Sequence, residues 1–387
     1  MAGNTFAGGF GTRNYFIPNA GRDARSAQIL TGSGYVSINL KGAHYRSGGN
    51  LWQRIFGGSD KVFLSTQVTQ VLSGASPAAA NPTGVSIEEV RQVRTGQPYY
   101  FGSGRAIALD LTTDCDAIEM TAAISAIQSD NLSAALDILN SGELKSTLQA
   151  APAAVSGSLA VATIVKKLLT NTIPQNSLQA EYDGRLSASP SDDPIRDFCL
   201  AQGTLILIYR ESEDDTSLDG LDPSRFAIDG DGLKYDGKPV QNTYVMFQIS
   251  FTELRGENPG SQWCAAFSTA EQTLDGLITA AGDADREKLW ASAYATWQQG
   301  VKLLMADRTY VESQAEGIAA KHLVSLQQKY ASASGKPTLP AAVAGPKLLT
   351  TRQQHLFAGV LENPAELARE YAAKLARSNV SLAGPLR

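Results

Sequence analysis

Near residue 267 the hydrophobic pattern of the chain changes its period. Upstream, apolar residues form short β-like runs punctuated by Gly, Asn, Asp and Pro; downstream they recur at helical spacing over long stretches. The two patterns are segregated along the chain, and the βαβ alternation of a nucleotide-binding α/β fold is missing. The sequence therefore predicts an α+β protein: an antiparallel β-sandwich-like N-terminal region with a helical insertion, then a mainly α-helical C-terminal region. The expected divisions are an N-terminal arm over 1–30 and a β-rich domain over 31–267 with its insertion at about 118–171. A long helix or helical hairpin over 268–334, a Pro/Gly linker over 335–350 and a helical segment over 351–387 complete the chain.

The strand candidates are 35–40, 61–71, 99–101, 105–111, 203–210, 226–228 and 243–251. Leu205-Ile206-Leu207-Ile208-Tyr209 is apolar throughout, as in a strand buried on both faces. Val245, Phe247, Ile249 and Phe251 alternate with Met246, Gln248 and Ser250, which suits a sheet with one face in a core. Asp229-Gly230, Asp231-Gly232 and Asp236-Gly237 supply positive-φ turns between short strands.

In the insertion, Met120, Ala123, Ile124 and Ile127 share one helical face, Leu132, Ala135, Leu136 and Leu139 a second, and a third helix is expected from about Leu159 to Pro174. Beyond Phe267, Ser268-Thr269-Ala270-Glu271 has the pattern of a capping box. No proline interrupts 283–332, where Trp290, Ala293, Trp297, Val301 and Leu304 form one stripe and Val311, Ala315, Ile318, His322 and Leu326 another. Gly300, Asp307-Arg308 and Gly317 are the places where this segment can divide into two helices. Asn363-Pro364-Ala365-Glu366 supplies N-cap, N1 proline and N3 glutamate for a last helix bearing Leu367, Tyr371 and Leu375 on one side.

Several chemistries are poorly supplied. Net charge is −5 with no Lys/Arg block, so nucleic acid is not an expected partner. Cys115, Cys199 and Cys264 are too few and too widely spaced for a disulfide framework or a CxxC metal knuckle. The N-terminus has neither a basic nor an apolar leader segment, and the expected location is the cytoplasm. The three histidines, His44, His322 and His355, show no metal-ligand spacing; His44 reads as a surface loop residue and His322 as a packing residue in a helical stripe. Gly8-Gly9-Phe10-Gly11 and Gly32-Ser33-Gly34 complete no phosphate-binding loop.

One acidic constellation has a metal reading. Asp110, Asp114 and Asp116 lie at a strand end with Glu119 just beyond, and carboxylates converging from one loop can coordinate Ca²⁺. Over these few residues the Asp-x-Asp loop resembles the calcium loop of C2 domains, which implies calcium as cofactor; a helical insertion here departs from that family. The favoured reading, under which no cofactor is expected, is that Asp114 or Asp116 caps a helix beginning near Ile118. A second run, Glu211, Glu213, Asp214, Asp215, Asp219, Asp222, Asp229 and Asp231, lacks EF-hand spacing and reads as a solvated loop. The uncharged stretch 146–165 reads as an Ala-rich core helix, with a membrane-insertion element or barrel strand as alternatives.

The expectation for function is a non-enzymatic interaction or assembly protein, in which the sandwich and the long helices make protein–protein contacts through self-association or with a protein partner. Trp290, Trp297, Val301 and Leu304 are the expected contact residues. The alternatives are a membrane-active or pore-forming protein with a lipid- or calcium-binding sandwich, and a metal enzyme using Asp110, Asp114, Asp116 and Glu119.

Overall fold

The computed structural model describes residues 12–19, 28–45, 61–72, 82–89, 99–101, 105–127, 179–188, 197–210, 216–229, 232–280, 282–307, 309–334 and 351–382. The chain forms two units, one of residues 1–31 and 36–251, the other of residues 32–35 and 252–387. Among the described residues the first is mainly strands and the second mainly helices, which makes the protein α+β with a helical C-terminal part.

The strands of the first unit are β1 (Thr12–Pro18), β2 (Tyr35–Tyr45), β3 (Lys61–Leu72), β4 (Pro82–Glu89), β5 (Tyr99–Phe101), β6 (Arg105–Thr112) and β7 (Cys115–Ile127), then β8 (Gln179–Ser187), β9 (Asp197–Cys199), β10 (Gly203–Tyr209), β11 (Phe226–Asp229), β12 (Gly232–Tyr235), β13 (Lys238–Pro239) and β14 (Tyr244–Thr252). Tyr35 opens β2 but groups with the second unit. One sheet runs β1-β10-β14-β2-β5 with β6 on β2, a second β4-β3-β7-β8-β9, and a small third β11-β12-β13. The first two sheets close a core in which Val36, Ile38, Leu205, Leu207, Val245 and Phe247 meet Leu64, Val68, Ile118, Met120 and Leu186. On the opposite face of the first sheet, Tyr15, Ile206, Ile208, Tyr244 and Met246 are covered by Leu218, Phe226 and Leu233.

This second cover explains β10, which is buried at every residue as its unbroken apolar run predicts. It also changes the reading of β14: Tyr244, Val245, Met246 and Phe247 are all buried, and the expected alternation survives only from Gln248 onward. Asp236 and Gly237 have φ of 51° and 75° and join β12 to β13, the two-residue positive-φ turn that Asp-Gly favours. The expected arm contains an edge strand, since β1 pairs with β10 from Thr12↔Tyr209 to Pro18↔Gly203.

The largest departure concerns the insertion. Its first segment is no helix: β7 runs between β3 and β8, and Ile118, Met120 and Ala122 are buried at strand spacing. An Ala-, Ile- and Thr-rich run satisfies either period, and pairing on both edges selects the strand. Asp114 and Asp116 therefore cap no helix. The remaining insertion helices, the 146–165 stretch and the 335–350 linker lie outside the described residues.

The second unit contains α1 (Gln262–Thr273), α2 (Asp283–Ala306), α3 (Glu312–Ser334), α4 (Thr351–Glu362) and α5 (Pro364–Leu382). Ser261, not Ser268, is the N-cap of α1 and accepts from the Cys264 N–H at 3.3 Å; the expected capping box lies inside the helix. The long proline-free segment divides at Asp307, whose Oδ1 accepts from Thr309 N–H and Oγ1 while Oδ2 accepts from Trp263 Nε1. Gly300 and Gly317 lie within helices instead. A Cβ on Gly317 would sit 2.7 Å from that of Tyr371, so this glycine sets how closely α5 approaches α3. The start of α5 at Pro364 agrees with its capping signature, and Leu367, Tyr371 and Leu375 face the core as expected. No described helix is long and apolar enough to cross a membrane.

Candidate functional site

Several buried polar side chains of the helical unit converge on the first turns of α3. Leaving β14, the chain passes Arg255 to Asn258 before Ser261 opens α1. Gln314 treats this segment as a neighbouring strand would. Its Nε2 donates to the Arg255 carbonyl at 2.7 Å, and its Oε1 accepts from the Arg255 N–H at 3.2 Å. The same Oε1 accepts from the Tyr35 hydroxyl at 2.6 Å, and the Tyr35 oxygen in turn accepts from the Val311 N–H at 3.1 Å. Tyr35 is 0% and Gln314 1% exposed, so these buried polar groups need each other. Tyr310 grips the segment further along, donating to Gly256 O and accepting from Asn258 N–H, both at 3.0 Å, with the Arg255 guanidinium over its ring.

Glu257 brings α5 into this centre. Its Oε1 accepts from Lys321 Nζ at 3.0 Å and from the Tyr371 hydroxyl at 2.9 Å, while its Oε2 lies 3.3 Å from Lys321 Nζ. Burial alone raises a carboxyl pKa, but the hydrogen bonds from Lys321 and Tyr371 and the nearby positive charge outweigh it and hold Glu257 below the usual range. Tyr371 is pushed the other way, by burial and by the Glu257 charge. Glu316 is raised by burial and by Glu312.

His322 forms a dyad with Glu271, Nδ1 to Oε1 at 2.9 Å, and stacks on Phe267 at 4.6 Å. Such a pair orients an imidazole as a hydrolase does. Its Nε2, however, is buried, and among the described residues no hydrogen-bond partner, nucleophilic or otherwise, stands beside it. The packing reading fits His322. His44, expected in a surface loop, is buried in β2, with Nδ1 2.8 Å from the Asn242 carbonyl and its ring stacked on Tyr244.

The expected contact residues Trp290, Trp297, Val301 and Leu304 are buried within the core of the helical unit. Trp297 Nε1 donates to the Ala319 carbonyl at 3.0 Å and so ties α2 to α3. The stripe is spent inside the unit, because an apolar face at helical spacing serves an internal seam as well as an external one.

The expected calcium residues are spread along the two strands and the corner joining them. Asp110 lies in β6 at φ 53° with its N–H donating to Ser37 Oγ; Asp114 sits where the chain passes from one sheet to the other. Asp116 is the extra residue of a bulge, since Leu72 pairs with Cys115 and Val71 with Ala117. Glu119 faces Arg185 across β7 and β8, Oε1 to Nη1 at 4.0 Å. Among the described residues no group of three or more His, Cys, Asp or Glu is placed to hold a metal ion. Cys115, beside this corner, is buried, and its thiol is pushed up to about 12 by desolvation.

Part of the second acidic run is structural. Asp219 binds Arg13 and Arg210 at 2.8 and 3.0 Å, Asp222 caps the turn Pro223–Arg225, and Asp229 pairs with Lys234. Glu211, Glu213, Asp214, Asp215 and Asp231 lie outside the described residues.

No family model matches the chain, and no curated protein or solved structure matches it. The residues at the centre of the helical unit thus speak from their own chemistry. Tyr35, Gln314 and Glu257 had no motif to announce them, and the one available signal was Tyr371 on the apolar side of its helix.

Proposed function

We propose that the protein is a non-enzymatic interaction or assembly protein whose helical unit is a module for holding extended chain segments. The observation that supports this reading is the centre around Gln314. Two segments far apart in sequence, Gly32–Tyr35 and Arg255–Asn258, are held there through main-chain and tyrosine contacts. Binding an extended segment through its backbone, with a side-chain anchor for selectivity, is how interaction modules recognise peptides. Glu257 is engaged within the centre by Lys321 and Tyr371. In this reading the protein acts by self-association in the cytoplasm.

Light scattering on the full chain during size-exclusion chromatography, over a range of loading concentrations, tests it. A discrete oligomer, or a monomer–oligomer equilibrium that follows concentration, is the expected result. A monomer at every concentration overturns the self-association reading, and transfer of that monomer onto anionic liposomes puts the membrane-active reading in its place.

A further inference from the structure

We infer that the first turn of α3 carries a tyrosine-selective socket, filled in this structure by Tyr35, whose ligand class is an extended segment bearing a tyrosine side chain. The phenol oxygen is read from both sides: it donates to Gln314 Oε1 at 2.6 Å and accepts from the Val311 N–H at 3.1 Å. A phenylalanine ring leaves the Val311 N–H without its acceptor and takes from Gln314 Oε1 one of its two donors, and a buried site built to bond a hydroxyl rejects the analogue that lacks one, because a polar atom of its own is then left unpaired. The backbone of the ligand is read as well, through the Ser313 hydroxyl on the Gly32 carbonyl at 3.4 Å.

The socket is held ready from behind. Gln314 Nε2 is committed to the Arg255 carbonyl and its Oε1 also accepts from the Arg255 N–H, so the amide cannot turn without losing both bonds. The acceptor that meets the phenol is therefore fixed in orientation by a part of the unit other than the ligand, which lowers the ordering cost of binding. That a tyrosine from another chain meets this socket rests on the proposed interaction function; the chemistry of the socket does not.

The experiment empties the socket in the full chain with Tyr35→Ala and adds back the missing side chain as p-cresol, with toluene as the ring without its hydroxyl. The readout is the thermal midpoint followed by tryptophan fluorescence, since Trp263, Trp290 and Trp297 all lie in the core of the helical unit. p-Cresol should raise the midpoint of Tyr35→Ala well above the shift given by toluene, and neither should move the wild type. Adding Gln314→Leu to Tyr35→Ala should erase the advantage of p-cresol. Equal shifts from p-cresol and toluene, or none from either, overturn the socket.

Should Tyr35→Ala not fold, Tyr35→Phe keeps the ring and removes the hydroxyl. Its Val311 amide should then exchange with solvent about tenfold faster than in the wild type, the factor that corresponds to one lost hydrogen bond of about 1.4 kcal/mol. An unchanged rate overturns the proposal. The chromatographic result and the p-cresol result are independent: a strict monomer removes the function and leaves the socket, while a failed rescue removes the socket and leaves any oligomer standing.

Discussion

Glu257 shows how one residue in the helical unit couples stability to pH. Its carboxyl is held below the ordinary value of about 4.3, so the native state releases this proton more readily than the unfolded chain. The stabilisation is complete above that ordinary value and is lost as pH falls through the lower native one. Glu257→Gln keeps an acceptor for Tyr371 but loses the charge that Lys321 answers. It should cost about 1–2 kcal/mol at neutral pH and flatten the loss of stability in acid, both measurable by urea unfolding across pH. Glu316 has the opposite sign. Its carboxyl is raised by burial and by Glu312, so its ionisation opposes folding above its native value, and the cost disappears below the unfolded one. Glu316→Gln should therefore stabilise the protein modestly at neutral pH and leave it unchanged in acid; equal effects at both pH values would refute this assignment.

At the scale of elements, the approach of α5 to α3 turns on Gly317. Replacing a helical glycine by alanine in open space gains about 1 kcal/mol of helix propensity. Here the new methyl would lie 2.7 Å from Tyr371 Cβ, an atom fixed by its own helix backbone, so the helices must separate. Gly317→Ala should destabilise the protein by about 1–3 kcal/mol in spite of propensity, as a lowered denaturation midpoint. A gain in stability would mean that α5 is not seated on α3. The strands teach a complementary lesson. β10 was legible from its letters because a strand covered on both faces is apolar throughout, and the β12–β13 turn because Asp-Gly suits two successive positive φ values. β7 was not legible, since Met120, Ala123, Ile124 and Ile127 satisfy a helical stripe while Ile118, Met120 and Ala122 satisfy a strand.

At the scale of the molecule, the chain passes between units after residues 31, 35 and 251, and each unit has its own hydrophobic core. Separate cores unfold as separate cooperative blocks. Calorimetry should resolve two transitions. Leu207→Ala, in the sandwich, should lower one by about 2–5 kcal/mol in stability, while Trp297→Phe, which forfeits the bond to Ala319, should lower the other by about 1–2 kcal/mol. A single transition moved by both substitutions would show that the cores melt together. The amino-acid order alone determined what local periodicity and capping can encode: the segregated α+β plan, the doubly covered β10 and the helix opened by Asn363-Pro364; it offered Asp307 only as one of three places where the long helical segment can divide. Tertiary structure decided the rest. Tyr35 and Gln314 lie 279 positions apart, and the burial that makes their hydrogen bond necessary arises only when two distant segments meet. The same holds for Trp297, whose apolar stripe fits an internal seam or an external partner equally until α3 arrives to cover it. Periodicity shows that a face must be buried; only the packed chain shows against what.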